Sequence, residues 1–219
     1  MKRHGVRILT VGLTIALLSA TFANNTLFNN DKLVLLGTVT VTLNTVSPSV
    51  NVQINYNSNN FNVTAGVYNL TTTAPKNQAF CVDLDHLINF SQNYTYELWL
   101  AYGRVGALLN LKDSFIVGPD LNKKAAGFQI AMWKIAHDHS LGNPDNLSGN
   151  VFQYTQNATI AGYANSLLSA TAGQADYYYY LRSLNRNNPT QDLAMVPEPA
   201  SMIALATGFV GLIARRRRK

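Results

Sequence analysis

Apolar residues in the middle of this chain change their period once, about halfway along, and few folds accommodate such a change. Up to about residue 100 they alternate. Residues 50–56 read VNVQINY, which sets Val50, Val52, Ile54 and Tyr56 on one face of an extended strand. The segment 34–43 (VLLGTVTVTL) is β-branched and partly alternating, and 61–68, 79–84 and 94–100 are further strand candidates. Clusters of Asn, Ser, Thr and Pro between them suit loops. From residue 104 the period turns helical. Residues 104–111 (RVGALLNL) predict a short helix. Residues 123–138 (KKAAGFQIAMWKIAHD) predict a longer one, with Phe128, Ala131, Met132 and Ile135 in a stripe. Asp120 and Asn122 are its candidate N-caps, after Pro119. Residues 158–172 predict another helix, and 177–184 (YYYYLRSL) a closing strand. The expectation is an α+β fold: a β-rich, sandwich- or barrel-like N-terminal half with a helical subdomain.

Both ends of the chain carry a different message. Residues 1–23 read MKRHGVRILTVGLTIALLSATFA. Lys2, Arg3 and Arg7 precede an uncharged, mostly apolar stretch, and Thr21-Phe22-Ala23 places small residues at −3 and −1 of a cleavage site. That pattern is a secretory signal peptide, too short to span a bilayer. Residues 196–219 have three parts: Val196-Pro197-Glu198-Pro199, an uncharged segment 200–214, and the basic run 215–219. The middle part is a short transmembrane candidate, and the basic run would hold its end in the cytoplasm. Taken in order, the three parts resemble the PEP-CTERM sorting signal of Gram-negative bacteria that make exopolysaccharide. The resemblance implies recognition by an exosortase near Pro197-Glu198-Pro199, export to the cell envelope, and a transient inner-membrane anchor. Residues 24–195 are left as one extracellular domain.

The ends also explain the charge. The whole chain is +6, but three basic residues lie in the leader and five in the last five positions. Without them nine basic residues remain of 17, against ten acidic of 11 once Glu198 is set aside, a net charge near −1. The basic balance therefore reports targeting and gives no support for nucleic-acid binding.

Within the central region one residue type occurs once. Cys81, in FCVDLDH (80–86), is the sole cysteine of 219 residues in a chain that reads as exported. Three readings follow from the residues: a buried thiol acting as a small hydrophobe, a pair with another chain, or a nucleophile served by His86 or His137. No protease or acyltransferase signature surrounds Cys81, so an enzyme is not expected. Gln129, in GFQIAMW (127–133), raises a second question. At helical spacing it shares a face with Met132, Trp133 and Ala136, and an amide on an apolar face needs hydrogen bonds. A half-exposed first turn would satisfy it with water.

Together, FCVDLDH, the ALLN segment 107–110 and GFQIAMWKIAHD resemble the bacterial thioester domain. The resemblance implies that sulfur 81 displaces ammonia from the Gln129 carboxamide, leaving an internal Cys81–Gln129 thioester. It further implies covalent attachment to an amine or hydroxyl on a surface or matrix polymer, with Gln129 as acyl donor and Cys81 as leaving group. In the adhesins on which the family is known, Thr often precedes the glutamine; here Phe128 does. Phe80, Phe128 and Trp133 are candidate walls of a dry niche, and Asp83, Asp85, His86 and His137 are candidate polar neighbours. Closing a loop of 48 residues would contribute about 4 kcal/mol on the chain-entropy model. The alternative is a noncovalent exopolysaccharide-associated binding protein with a structural cysteine; a secreted cysteine hydrolase is the third class. No cofactor or metal is expected: His137 and His139 suit the last carbonyls of a helix better than a zinc site. The Tyr177–Tyr180 run suits a strand with one buried face better than a sugar platform.

Overall fold

The computed structural model describes residues 33–138, 145–185 and 188–196. The leader 1–23, His139, Pro197-Glu198-Pro199, the apolar segment 200–214 and the basic tail 215–219 lie outside the described residues. Among the described residues no helix is long and apolar enough to cross a membrane.

In chain order the elements are β1 (Val34–Tyr56), β2 (Asn59–Thr72), β3 (Gln78–Cys81), β4 (Asn93–Gly103), α1 (Arg104–Asn110), α2 (Lys112–Phe115), α3 (Leu121–Asp138), β5 (Phe152–Gln153), α4 (Ala158–Ala170), β6 (Asp176–Ser183) and β7 (Leu193–Met195). The fold is α+β. Its seven strands follow the order β2-β3-β7-β6-β4-β1-β5, and β2 pairs again with β1. Six strands thus close into an antiparallel ring, with β5 attached to the far end of β1. Closure shortens the exposed edges that a chain rich in β-branched residues would otherwise offer to other chains.

The segments 34–43 and 50–56, expected as two strands, are one. The Ser-Pro-Ser cluster between them produces irregular register at Leu43/Thr45 and Val46/Ser49 rather than a loop. There β1 comes so close to β2 that a Cβ on Gly66 would lie 2.3 Å from the Pro48 carbonyl. The next turn is a tight hairpin. Asn57 and Ser58 have φ of 50° and 64°, the left-handed pair that matches strand twist. Val52, Ile54 and Tyr56 face inward as their alternation requires. In β6, Tyr178 and Tyr180 are buried while Tyr177 is exposed, the one-sided strand that the tyrosine run suggested.

β3 stops at Cys81, short of the expected residue 84. The Asp83 carboxylate accepts from the Asp85 backbone N–H at 2.8 Å, and this local turn takes the chain out of the sheet. The first helical carbonyl of α3 is that of Asp120, 2.9 Å from the Lys124 N–H, so Asn122 lies inside the helix and does not cap it.

Helix α3 is not part of a separate subdomain. It packs against β1, β2 and β3 on one side and α4 on the other, and 13 of its 18 residues are buried. Gly127 permits the α4 contact: a Cβ there would be 2.7 Å from the Tyr163 Cβ and 3.1 Å from the Ile160 carbonyl. At the C-terminal end of α3, Lys134 and Asp138 form a fully buried ion pair. The Lys134 ammonium also donates to the carbonyls of Gly149 (2.5 Å) and Phe152 (2.8 Å). Asp138 accepts from the N–H groups of Val151 and Phe152. The pair ties the 149–152 segment to the helix.

Candidate functional site

Two elements far apart in sequence bring Cys81 and Gln129 together. Cys81 is the last residue of β3, and Gln129 faces it from the middle of α3. Both are completely buried. The Gln129 carboxamide is held from both sides by one residue. The Cys81 N–H donates to Oε1 at 3.1 Å, and Nε2 donates to the Cys81 carbonyl at 2.7 Å. A side-chain amide thereby completes the backbone pairing of a strand end, which removes the desolvation cost of burying it.

The Cys81 thiol is free and donates to the Asp83 carbonyl at 2.7 Å. The rings expected as its walls belong to the same buried core. Phe80 and Phe128 have ring centroids 4.6 Å apart, and Trp133 is buried. Burial pushes the thiol pKa up to about 12, because a thiolate in this apolar surrounding lacks water. The Trp133 indole N–H, the Asp83 backbone and the Tyr68 hydroxyl favour the thiolate without overcoming burial. The Trp133 N–H itself is a buried donor with no hydrogen-bond partner of normal geometry.

Polar contacts lead from the niche to the surface. Asp83 Oδ2 lies 2.7 Å from His86 Nδ1, and the His86 side chain is partly exposed. His137 stands apart. Its ring packs edge-on against Tyr56 at 4.7 Å, and its Nε2 is buried without a hydrogen-bond partner. Burial holds its pKa below the usual histidine value. The ring therefore serves packing, and that nitrogen does not cap the helix. The Tyr56 hydroxyl donates to Asp85 at 3.1 Å.

Sequence reasoning missed the third side of the site. β7 pairs with β3 through Phe80–Ala194 and Cys81–Leu193. The residues just before it close the niche. Gln191 accepts from the Tyr68 hydroxyl at 2.9 Å, and the Asp192 carbonyl accepts from the Val82 N–H at 3.0 Å. The Asp192 carboxylate accepts from the Tyr180 hydroxyl and from the Ser183 N–H. Burial raises its pKa to about 6, and the nearby Asp83 charge adds to the rise.

Comparison with known proteins decides the C-terminus. The family model of the PEP-CTERM protein-sorting motif matches residues 196–219. The chain ends in a PEP-CTERM sorting motif. This motif implies an exported protein of the cell envelope, with an exosortase as its processing partner. No curated protein and no solved structure in the comparisons matches the chain.

Proposed function

We propose that this chain is a non-enzymatic surface or matrix protein whose domain, residues 24–195, carries an internal thioester between Cys81 and Gln129. The observation that supports the reading is the reciprocal pairing of the Gln129 carboxamide with the backbone of Cys81, in a niche closed to water. Attack of sulfur 81 on the carboxamide carbon forms the C–S bond. The negative charge that builds on Oε1 meets the Cys81 N–H. Collapse of the intermediate breaks the C–N bond, and ammonia leaves with the proton given up by the thiol. An amine that later attacks the same carbon would take the acyl group as an amide and return the thiol. Complete burial makes the closed form a staple, and attachment to a surface nucleophile would require the niche to open. Exosortase acts at Pro197-Glu198-Pro199, and segment 200–214 is the transient inner-membrane anchor.

A second reading rests on the raised thiol pKa: a cysteine held at about 12 is inert, as a structural residue in a noncovalent exopolysaccharide-associated protein would be. Intact mass of the mature domain separates the two. The thioester gives a mass lower by one ammonia, and methylamine adds to the protein while a thiol becomes titratable. Full mass with one titratable thiol in denaturant supports the second reading. Turnover of an ester substrate would instead indicate a hydrolase.

A further inference from the structure

The sorting motif begins where the closing strand of the barrel ends. β7 is only Leu193–Met195, yet it joins β3 to β6 and completes the ring. All three of its residues are fully buried, and Val196 packs on the core. The matched motif starts at Val196. No spacer therefore separates the buried strand from Pro197. Two extended residues reach at most about 7 Å. An enzyme that binds extended chain takes several residues on each side of the bond it processes. Around Pro197, the residues on the N-terminal side are β7 itself.

We propose that β7 docking and exosortase engagement of the sorting motif are mutually exclusive. With β7 docked, the ring is closed and the residues just N-terminal to Pro197 are buried strand. Processing takes place on chains whose β7 is out of the ring, and the strand docks once the motif is released. Such a short strand suits the exchange. Few backbone bonds hold it, and short segments with few backbone bonds open locally most easily. The inference rests on the exosortase reading of the motif and is independent of the thioester.

The test follows processing of the full-length chain in membranes carrying exosortase. Tyr179 and Met195 are directly opposed between β6 and β7, so Tyr179→Cys with Met195→Cys, in a Cys81→Ser background, bridges the two strands when oxidised. The oxidised protein is expected to be processed at least about tenfold more slowly than its reduced form. A Gly/Ser insertion of about ten residues between Val196 and Pro197 gives the motif its own reach and should abolish the difference. Equal rates for oxidised and reduced protein without the insertion would overturn the proposal. So would a bridged insertion variant that stays unprocessed, since the bridge would then act through the fold and not through reach. If the reduced parent is never processed, the exosortase reading fails instead, and the two failures are told apart.

Discussion

Helix α3 buries polar groups at two places, and the two are built on opposite principles. Lys134 and Asp138, toward its C-terminus, are charged and surrounded by donors and acceptors that answer each of them. Gln129, earlier in the helix, is neutral and spends its amide on the backbone of a single residue, one that carries an unpaired cysteine, with an indole N–H nearby that has no partner of normal geometry. The ion pair is saturated, so it has no chemistry left to do and serves to hold the 149–152 segment. The Gln129 niche places a carboxamide beside the residue that carries a potential nucleophile. Burial alone therefore does not mark a functional site; what separates the two places on α3 is that one holds a charge pair and the other a carboxamide paired with the residue that carries a thiol.

The largest effect should come from breaking the saturated end. Lys134→Met leaves the Asp138 charge buried and unpaired and should cost about 3–5 kcal/mol in denaturant unfolding. Lys134→Met with Asp138→Leu should recover much of that loss. At the other end, Gln129→Leu leaves the Cys81 N–H and carbonyl unanswered, whereas Cys81→Ala keeps both satisfied. If the thioester exists, each variant removes the same staple and both lose about 4 kcal/mol. Without it, Gln129→Leu should be the costlier of the two, at about 1–3 kcal/mol. Gly127→Ala tests the helix on the N-terminal side of Gln129. The new methyl meets Tyr163 and Ile160 and should cost about 1–3 kcal/mol.

A smaller effect concerns pH. The Asp192 carboxyl titrates at about 6 when folded against 3.8 for the free group, so the folded state binds its proton more tightly. Its contribution is fully present below the unfolded pKa and is lost as pH rises through the folded one. Stability should therefore gain on the order of 2 kcal/mol as pH falls from about 6 toward 4, from this group alone. Asp192→Asn should remove that dependence in denaturant titrations across the same window.

Much of this contrast could be read in the sequence, and the rest could not for identifiable reasons. The Gln129, Trp133 and Met132 face followed from helical spacing; Phe80 and Phe128, expected as walls of the thiol, pack on each other. Lys134 and Asp138 look from the sequence like an ordinary solvated i,i+4 pair; nothing local says that the 149–152 backbone will cover them. β5 and β7 have two and three residues, too few to show a period. The approach of Asp192 to Asp83 spans 109 residues and depends on ring closure, which strand patterns do not specify. The fusion of segments 34–43 and 50–56 was hidden by a Ser-Pro-Ser cluster that ordinarily marks a loop. The PEP-CTERM motif was legible because its three parts are contiguous.

The central claim concerns one bond. Rapid digestion of the denatured mature protein at Lys and Arg should release the Cys81 peptide, bounded by Lys76 and Arg104, still joined to the Gln129 peptide, bounded by Lys124 and Lys134. The account predicts a single cross-linked species lighter by one ammonia than the sum of the two, separable by hydroxylamine. Two free peptides, with an alkylatable thiol at Cys81 and an intact amide at Gln129, would contradict it.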